Sequence, residues 1–260
     1  MKKRNALIFG LLALSISFFT GCNKTGPVSP TNGSLSKSST LKISATPVHK
    51  TTPVNLASIP VTGGTIDLQV AWINFKDLVI QENSGFDGEQ QGEHHDGNQN
   101  DGGPETENPD ITAPGPFTVD ISSGNSLIGS FQVYPGTFKK VDFTFTPNPN
   151  DPFFGKTIVM SGQFTPTVGS PVPFTLKSDF SSQIQQLIAN GGIIIPADST
   201  VEINVVFDLA GWFSSVDFSN AVVTNGEILI DSQNNQPLLA AFEAQLTAYV
   251  DVEEGGESGD

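Results

Sequence analysis

Among the 260 residues, the densest collection of side chains able to do chemistry runs from Glu82 to Asp110. That stretch holds nine acidic residues, His94 and His95, and no lysine. Asp96, Asn98, Asn100 and Glu107 fall at positions 1, 3, 5 and 12 of a twelve-residue loop, a spacing at which hard oxygen ligands can wrap a calcium ion. They are the candidate metal ligands. Two positions depart from the calcium pattern: Asp101 stands where glycine makes the sharp turn, and Gly103 replaces the usual apolar residue. The adjacent histidines offer a transition-metal alternative, at a large ordering cost in a flexible segment. The composition as a whole reads first as a solvated, disordered, low-complexity loop over 82–110, so no cofactor is expected beyond weak calcium.

An inventory of nucleophiles and bases points away from catalysis. All three histidines, His49, His94 and His95, lie in polar stretches rather than in apolar patterning. A Ser-His-Asp arrangement needs a rigidly placed histidine, as do the usual two- and three-histidine zinc sites. The paired glycines Gly63-Gly64 and Gly191-Gly192 do not form a phosphate-cradling motif. A glycosidase needs only two carboxyl groups about 5–9 Å apart, and Asp208, Asp217 and Asp231 are the acids to inspect for one. Their simpler reading is as turn or capping residues. Trp212-Phe213 invites a similar weighing, as an exposed sugar-stacking pair or, beside Val216 and Phe218, as core. No catalytic residue is assigned, and the expectation is a non-enzyme.

Cys22 is the only cysteine in the chain. Ahead of it, Lys2, Lys3 and Arg4 precede an apolar run from Ala6 to Phe19, shorter than the roughly 20 residues that cross a bilayer. A positive start, a short apolar core and small residues make a secretory signal. Its end, Phe19-Thr20-Gly21-Cys22, resembles the lipobox of bacterial lipoproteins, with Phe19 where leucine is usual. The resemblance implies a signal peptide over 1–21, cut so that Cys22 carries diacylglycerol and fatty acid. Lipid chains anchor at about 0.8 kcal/mol per buried CH₂, so the membrane is a partner without any transmembrane helix. Asn23 rather than aspartate follows, which implies the outer membrane as destination, on either its periplasmic or its surface face. A lone exposed thiol in an oxidising compartment is a liability; an acylated one is an anchor.

Cutting at Cys22 removes three of the 12 basic residues, leaving nine lysines, no arginine, 27 acidic residues and a formal charge of −18. Arginine is the favoured bidentate reader of phosphates and base edges, so nucleic acid is excluded as a partner. An envelope protein or a glycan remains open.

Stepping along the chain gives the elements. Residues 22–60 are dominated by Ser, Thr, Pro, Lys, Asn and Gly and read as a lipidated cysteine followed by a tether spanning about 35 Å. The folded domain is expected over 61–250, followed by an acidic tail over 251–260. Ile66, Leu68 and Val70 alternate with polar residues, the period of a half-buried strand. A second strand carries Ile73, Phe75, Leu78 and Ile80, its phase slipping near Asp77 as a bulge requires. Further strands are expected around Phe117–Ile121, Phe131–Val133, Val141–Phe145, Ile158–Phe164, Val172–Leu176, Val201–Phe207 and Ile228–Ile230, with the 19 phenylalanines supplying much of the core. Two helices interrupt them. Ser182 and Gln185 form a capping box ahead of Ile184, Leu187 and Ile188, ended by Gly191-Gly192. Pro237 opens a C-terminal amphipathic helix with Leu239, Phe242, Leu246 and Tyr249 on one face. The fold class is mainly β: a single antiparallel β-sandwich with one short internal helix and a C-terminal amphipathic helix.

Three stretches, Phe131-Gln132-Val133-Tyr134-Pro135-Gly136-Thr137-Phe138, Phe207-Asp208-Leu209-Ala210-Gly211-Trp212-Phe213 and Asp231-Ser232-Gln233-Asn234-Asn235, are similar to those of uncharacterised bacterial lipoproteins with a transthyretin-like or immunoglobulin-like sandwich. That resemblance implies a domain of unknown function with no catalytic residues to carry over. It leaves a non-enzymatic binding or structural lipoprotein ahead of a fimbrillin-like surface-fibre subunit or accessory protein, with a carboxylate-pair glycoside hydrolase last. Fimbrillins of the best-known kind mature by cleavage after arginine, which the chain after Cys22 lacks.

Overall fold

The structure, a computed structural model, describes residues 39–48, 58–82, 110–122, 124–150 and 155–255, all within one compact unit. Cys22, His49, His94, His95 and the calcium-spaced Asp96, Asn98, Asn100 and Glu107 lie outside the described residues. In chain order the first strands are β1 (Ser39–Val48), β2 (Ile59–Val61), β3 (Gly64–Gln81), β4 (Ile111–Ala113), β5 (Phe117–Asp120), β6 (Ser126–Val133), β7 (Gly136–Phe138) and β8 (Lys140–Phe145). They are followed by β9 (Ile158–Pro166), β10 (Val172–Ser178), β11 (Ser182–Leu187), β12 (Ile193–Ile195) and β13 (Thr200–Asp208). Helix α1 (Leu209–Phe213), β14 (Ile228–Ile230), helix α2 (Gln236–Glu243) and β15 (Val250–Glu254) close the order.

The fold is mainly β, and its sheets are open. One runs β15-β13-β1-β6; a larger one runs β11-β8-β3-β9-β10-β14, with β2, β4 and β5 also on β3; β12 and β7 form a small pair. Pairing is mixed rather than wholly antiparallel, because β1 runs parallel to β13 and β10 parallel to β14.

Strand β3 organises the larger sheet. The two strands expected around Val70 and Ile73 are one continuous strand of 18 residues. It carries β9 along Gly64–Ile73 and β8 along Phe75–Gln81. Its register slips twice, between Leu68 and Val70 and between Lys76 and Val79, the second slip holding Asp77 at φ 54°. Each slip resets which alternate residues face inward, so Ile66, Leu68, Ala71, Ile73, Phe75, Leu78 and Ile80 are all buried on one strand. Opposite the first slip stands Gly162, where a Cβ would sit 1.9 Å from the Asp67 carbonyl oxygen; only glycine lets the strands approach there.

Aromatic rings join the sheets. Phe143 and Phe145 of β8 meet Phe207 of β13 at centroid distances of 6.4 and 6.3 Å. Trp212 lies 5.5 Å from Phe207 and 5.9 Å from Phe242, and Phe213 lies 5.1 Å from Phe242. Trp212 and Phe213 are both fully buried, the core reading rather than the exposed sugar-stacking one. Offset and edge-on contacts of this kind add about 0.5–1.5 kcal/mol per pair beyond area burial.

Four expectations are corrected. The predicted internal helix is absent: Ser182–Leu187 is β11, paired antiparallel with β8 so that Ile184 sits opposite Phe143, and only a single 3-10 turn, Ala189–Gly191, follows. The tether over 22–60 contains β1, whose Leu41, Ile43 and Ala45 are buried, and β2 begins at Ile59. The acidic tail from 251 begins as strand, since β15 pairs with β13 as far as Glu254. The C-terminal helix ends at Glu243, short of Leu246 and Tyr249, although Leu246 is buried.

Candidate functional site

Each of the three shortlisted carboxylates takes donors from its own neighbourhood. Asp208 caps α1, accepting from Gly211 N at 3.0 Å. Asp217 caps the 3-10 turn Phe218–Asn220, accepting from Ser219 N, Ser219 Oγ and Asn220 Nδ2. Asp231 accepts from Gln233 N and Asn234 N at 2.8 Å and from Asn234 Nδ2 at 3.0 Å. Partial burial pushes the Asp231 carboxyl up, but the Gln233 and Asn234 donors, with the Lys177 ammonium, outweigh it and hold the group below the usual carboxylate range.

Two sets of buried polar groups elsewhere pair within the fold. Asn74 donates to the Lys156 carbonyl at 2.8 Å and accepts from Thr118 Oγ1, which also takes Asn148 Nδ2 at 3.1 Å. Lys140 and Asp142 form an ion pair at 2.9 Å. Among the described residues no group of three or more His, Cys, Asp or Glu side chains is arranged to hold a metal ion, and no helix is long and apolar enough to cross a membrane.

A concave feature lies where edge strand β11 of the larger sheet runs beside edge strand β15 of the smaller. A cavity of about 250 Å³ opens there, and its lining includes Gln186, Val206, Asp208, Tyr249, Asp251 and Glu253. The β13–β15 register builds it: Asp251 pairs with Val206 and Glu253 with Asn204, so the acids of β15 share a face with the outward residues of β13. Asp208 N donates to the Tyr249 carbonyl at 3.0 Å, fixing the start of β15 against the end of β13. The Tyr249 ring rests on Gly211, where a Cβ would fall 2.1 Å from its Cδ1. One five-residue helix therefore seats both the Asp208 carboxylate and the Tyr249 ring. Sequence reasoning reached Asp208 but missed Asp251, Glu253, Tyr249 and Gln186 as site residues. The only signal for them was the alternation Val250, Asp251, Val252, Glu253, which marks a strand inside the acidic end.

Compared with known proteins, the chain matches no family model, no curated protein and no solved structure.

Proposed function

We propose that the chain is a lipid-anchored envelope protein: a non-enzymatic binding or structural β-sandwich, of transthyretin-like or immunoglobulin-like type, held at the outer membrane through Cys22. The observation that carries the anchor is the run from Lys2 to Cys22, a charged start and short apolar core ending in Phe19-Thr20-Gly21-Cys22. The sandwich reading is supported by the rings of β8 that face Phe207 of β13. The non-enzymatic reading is supported by Asp208, Asp217 and Asp231, each of which accepts from donors within three residues of itself.

Replacing Cys22 by serine tests the anchor. The wild-type chain should partition with the outer-membrane fraction and take up labelled palmitate, and Cys22→Ser should do neither. A serine variant that stays in the membrane fraction contradicts it.

A further inference from the structure

We propose that the cavity between β11 and β15 binds an organic cation, an alkylammonium or guanidinium group. This rests on the binding-module reading of the domain and names the chemistry of its ligand.

Charge is the first ground. Asp208, Asp251 and Glu253 line the cavity, and the only cationic side chain on β1, β11, β13 and β15 is Lys42, at the far end of the sheet opposite Glu202. Burial is the second. Asp208 is 8% exposed, with one carboxylate oxygen locked by Gly211 N, and among the described residues no donor reaches the other. Asp208 lines the cavity, and a charged donor is the strongest partner a carboxylate takes. Beside the cavity, two polar atoms are buried without a partner: the acceptor Asn204 Oδ1, on the residue paired with Glu253, and the hydroxyl Thr46 Oγ1, on the residue paired with Val206. The unmatched Asn204 oxygen adds to the negative potential that the three acids create.

Shape decides the class of cation. The acids are not grouped to enclose a bare metal ion. A cation whose donors spread over several ångströms can reach Asp208, Asp251 and the Gln186 side-chain oxygen in turn. The Tyr249 ring, seated on Gly211, offers a face for cation–π contact, worth about 0.5–2 kcal/mol. At about 250 Å³ the cavity lies just below the usual range for whole drug-sized ligands, and suits one amine-bearing ring or one basic side chain.

Isothermal titration of the full-length protein in detergent tests this with four probes: agmatine, glucosamine, N-acetylglucosamine, and an end-blocked tripeptide with arginine between two glycines. The cationic probes should bind saturably, more weakly as salt is raised, while N-acetylglucosamine, which lacks the charge, should not bind. In the Asp251→Asn, Glu253→Gln double variant the affinity should fall by about tenfold or more. Tighter binding of the tripeptide than of agmatine and glucosamine identifies the source as a protein partner; the reverse identifies a free amine or amino sugar. Absence of saturable binding by all three cations, unchanged affinity in the double variant, or equal binding of glucosamine and its acetylated form overturns the proposal. Near-UV circular dichroism of the variant confirms that it is folded. Membrane fractionation of Cys22→Ser is independent of these titrations, so the site and the anchor fail separately.

Discussion

The aromatic centre and the β11–β15 edge meet where Phe207 is followed by Asp208, and they are built from opposite kinds of group. In the centre, Phe207, Trp212, Phe213 and Phe242 are fully buried, and rings fill each other's surroundings. At the edge, Asp251 and Glu253 surround a cavity with acceptors and bring no cation. The centre is filled by rings, with Trp212 Nε1 buried among them without a partner, whereas the edge gathers acceptors around open space. The contrast teaches where to look on a chain without a catalytic signature: at the place where polar groups converge without partners.

Breaking the centre should have the largest effect. Trp212→Ala removes the ring that touches Phe145, Phe207 and Phe242 and should destabilise the domain by about 3–5 kcal/mol in denaturant unfolding. A loss below about 1 kcal/mol would mean that the rings do not act as one core. Gly211→Ala tests the join between the regions. Its new methyl would meet the Tyr249 ring at 2.1 Å, so stability should fall by about 1–3 kcal/mol, with a change in Tyr249 fluorescence. An unchanged spectrum would detach the edge from α1.

Asp208 sharpens the comparison further, because it serves both sides. Asp208→Ala loses the cap of α1 and should cost about 1 kcal/mol, whereas Asp208→Asn keeps an acceptor oxygen and should cost only a few tenths. Thermal denaturation of the pair separates cap from charge; equal losses would show that Gly211 N is not what Asp208 stabilises. The smallest effect belongs to Asp231, an acid whose needs are fully met. Its carboxyl is held below the unfolded value of 3.8, so its contribution to stability is complete above that value and is lost as pH falls through the folded one. The stability gap between wild type and Asp231→Asn should therefore close on acidification, measured by urea unfolding across the acid range. A gap constant with pH would contradict the assignment.

Much of the strand content is legible in the sequence because alternation survives in single strands. Val141, Phe143 and Phe145 announce β8, and the slip near Asp77 was visible as a phase change in Ile73, Phe75, Leu78 and Ile80. What was hidden depends on pairing between distant segments. Leu41, Ile43 and Ala45 alternate too, but small polar neighbours dilute the pattern, and only the parallel partner β13 turns it into a central strand. Ile184, Leu187 and Ile188 have helical spacing, yet β8 offers Ile184 a place opposite Phe143, and tertiary pairing overrides the local capping signal. The cavity was illegible for the same reason. Asp208 and Asp251 are far apart in the chain, and the β13–β15 register alone brings them together.

If one residue holds this domain to a membrane, mass spectrometry of the mature N-terminus shows it most directly. The chain purified from membranes should begin at Cys22, with the mass of a diacylglyceryl group and a fatty acid on that residue. An N-terminal peptide that retains Met1–Gly21, or that carries an unmodified Cys22, would contradict it.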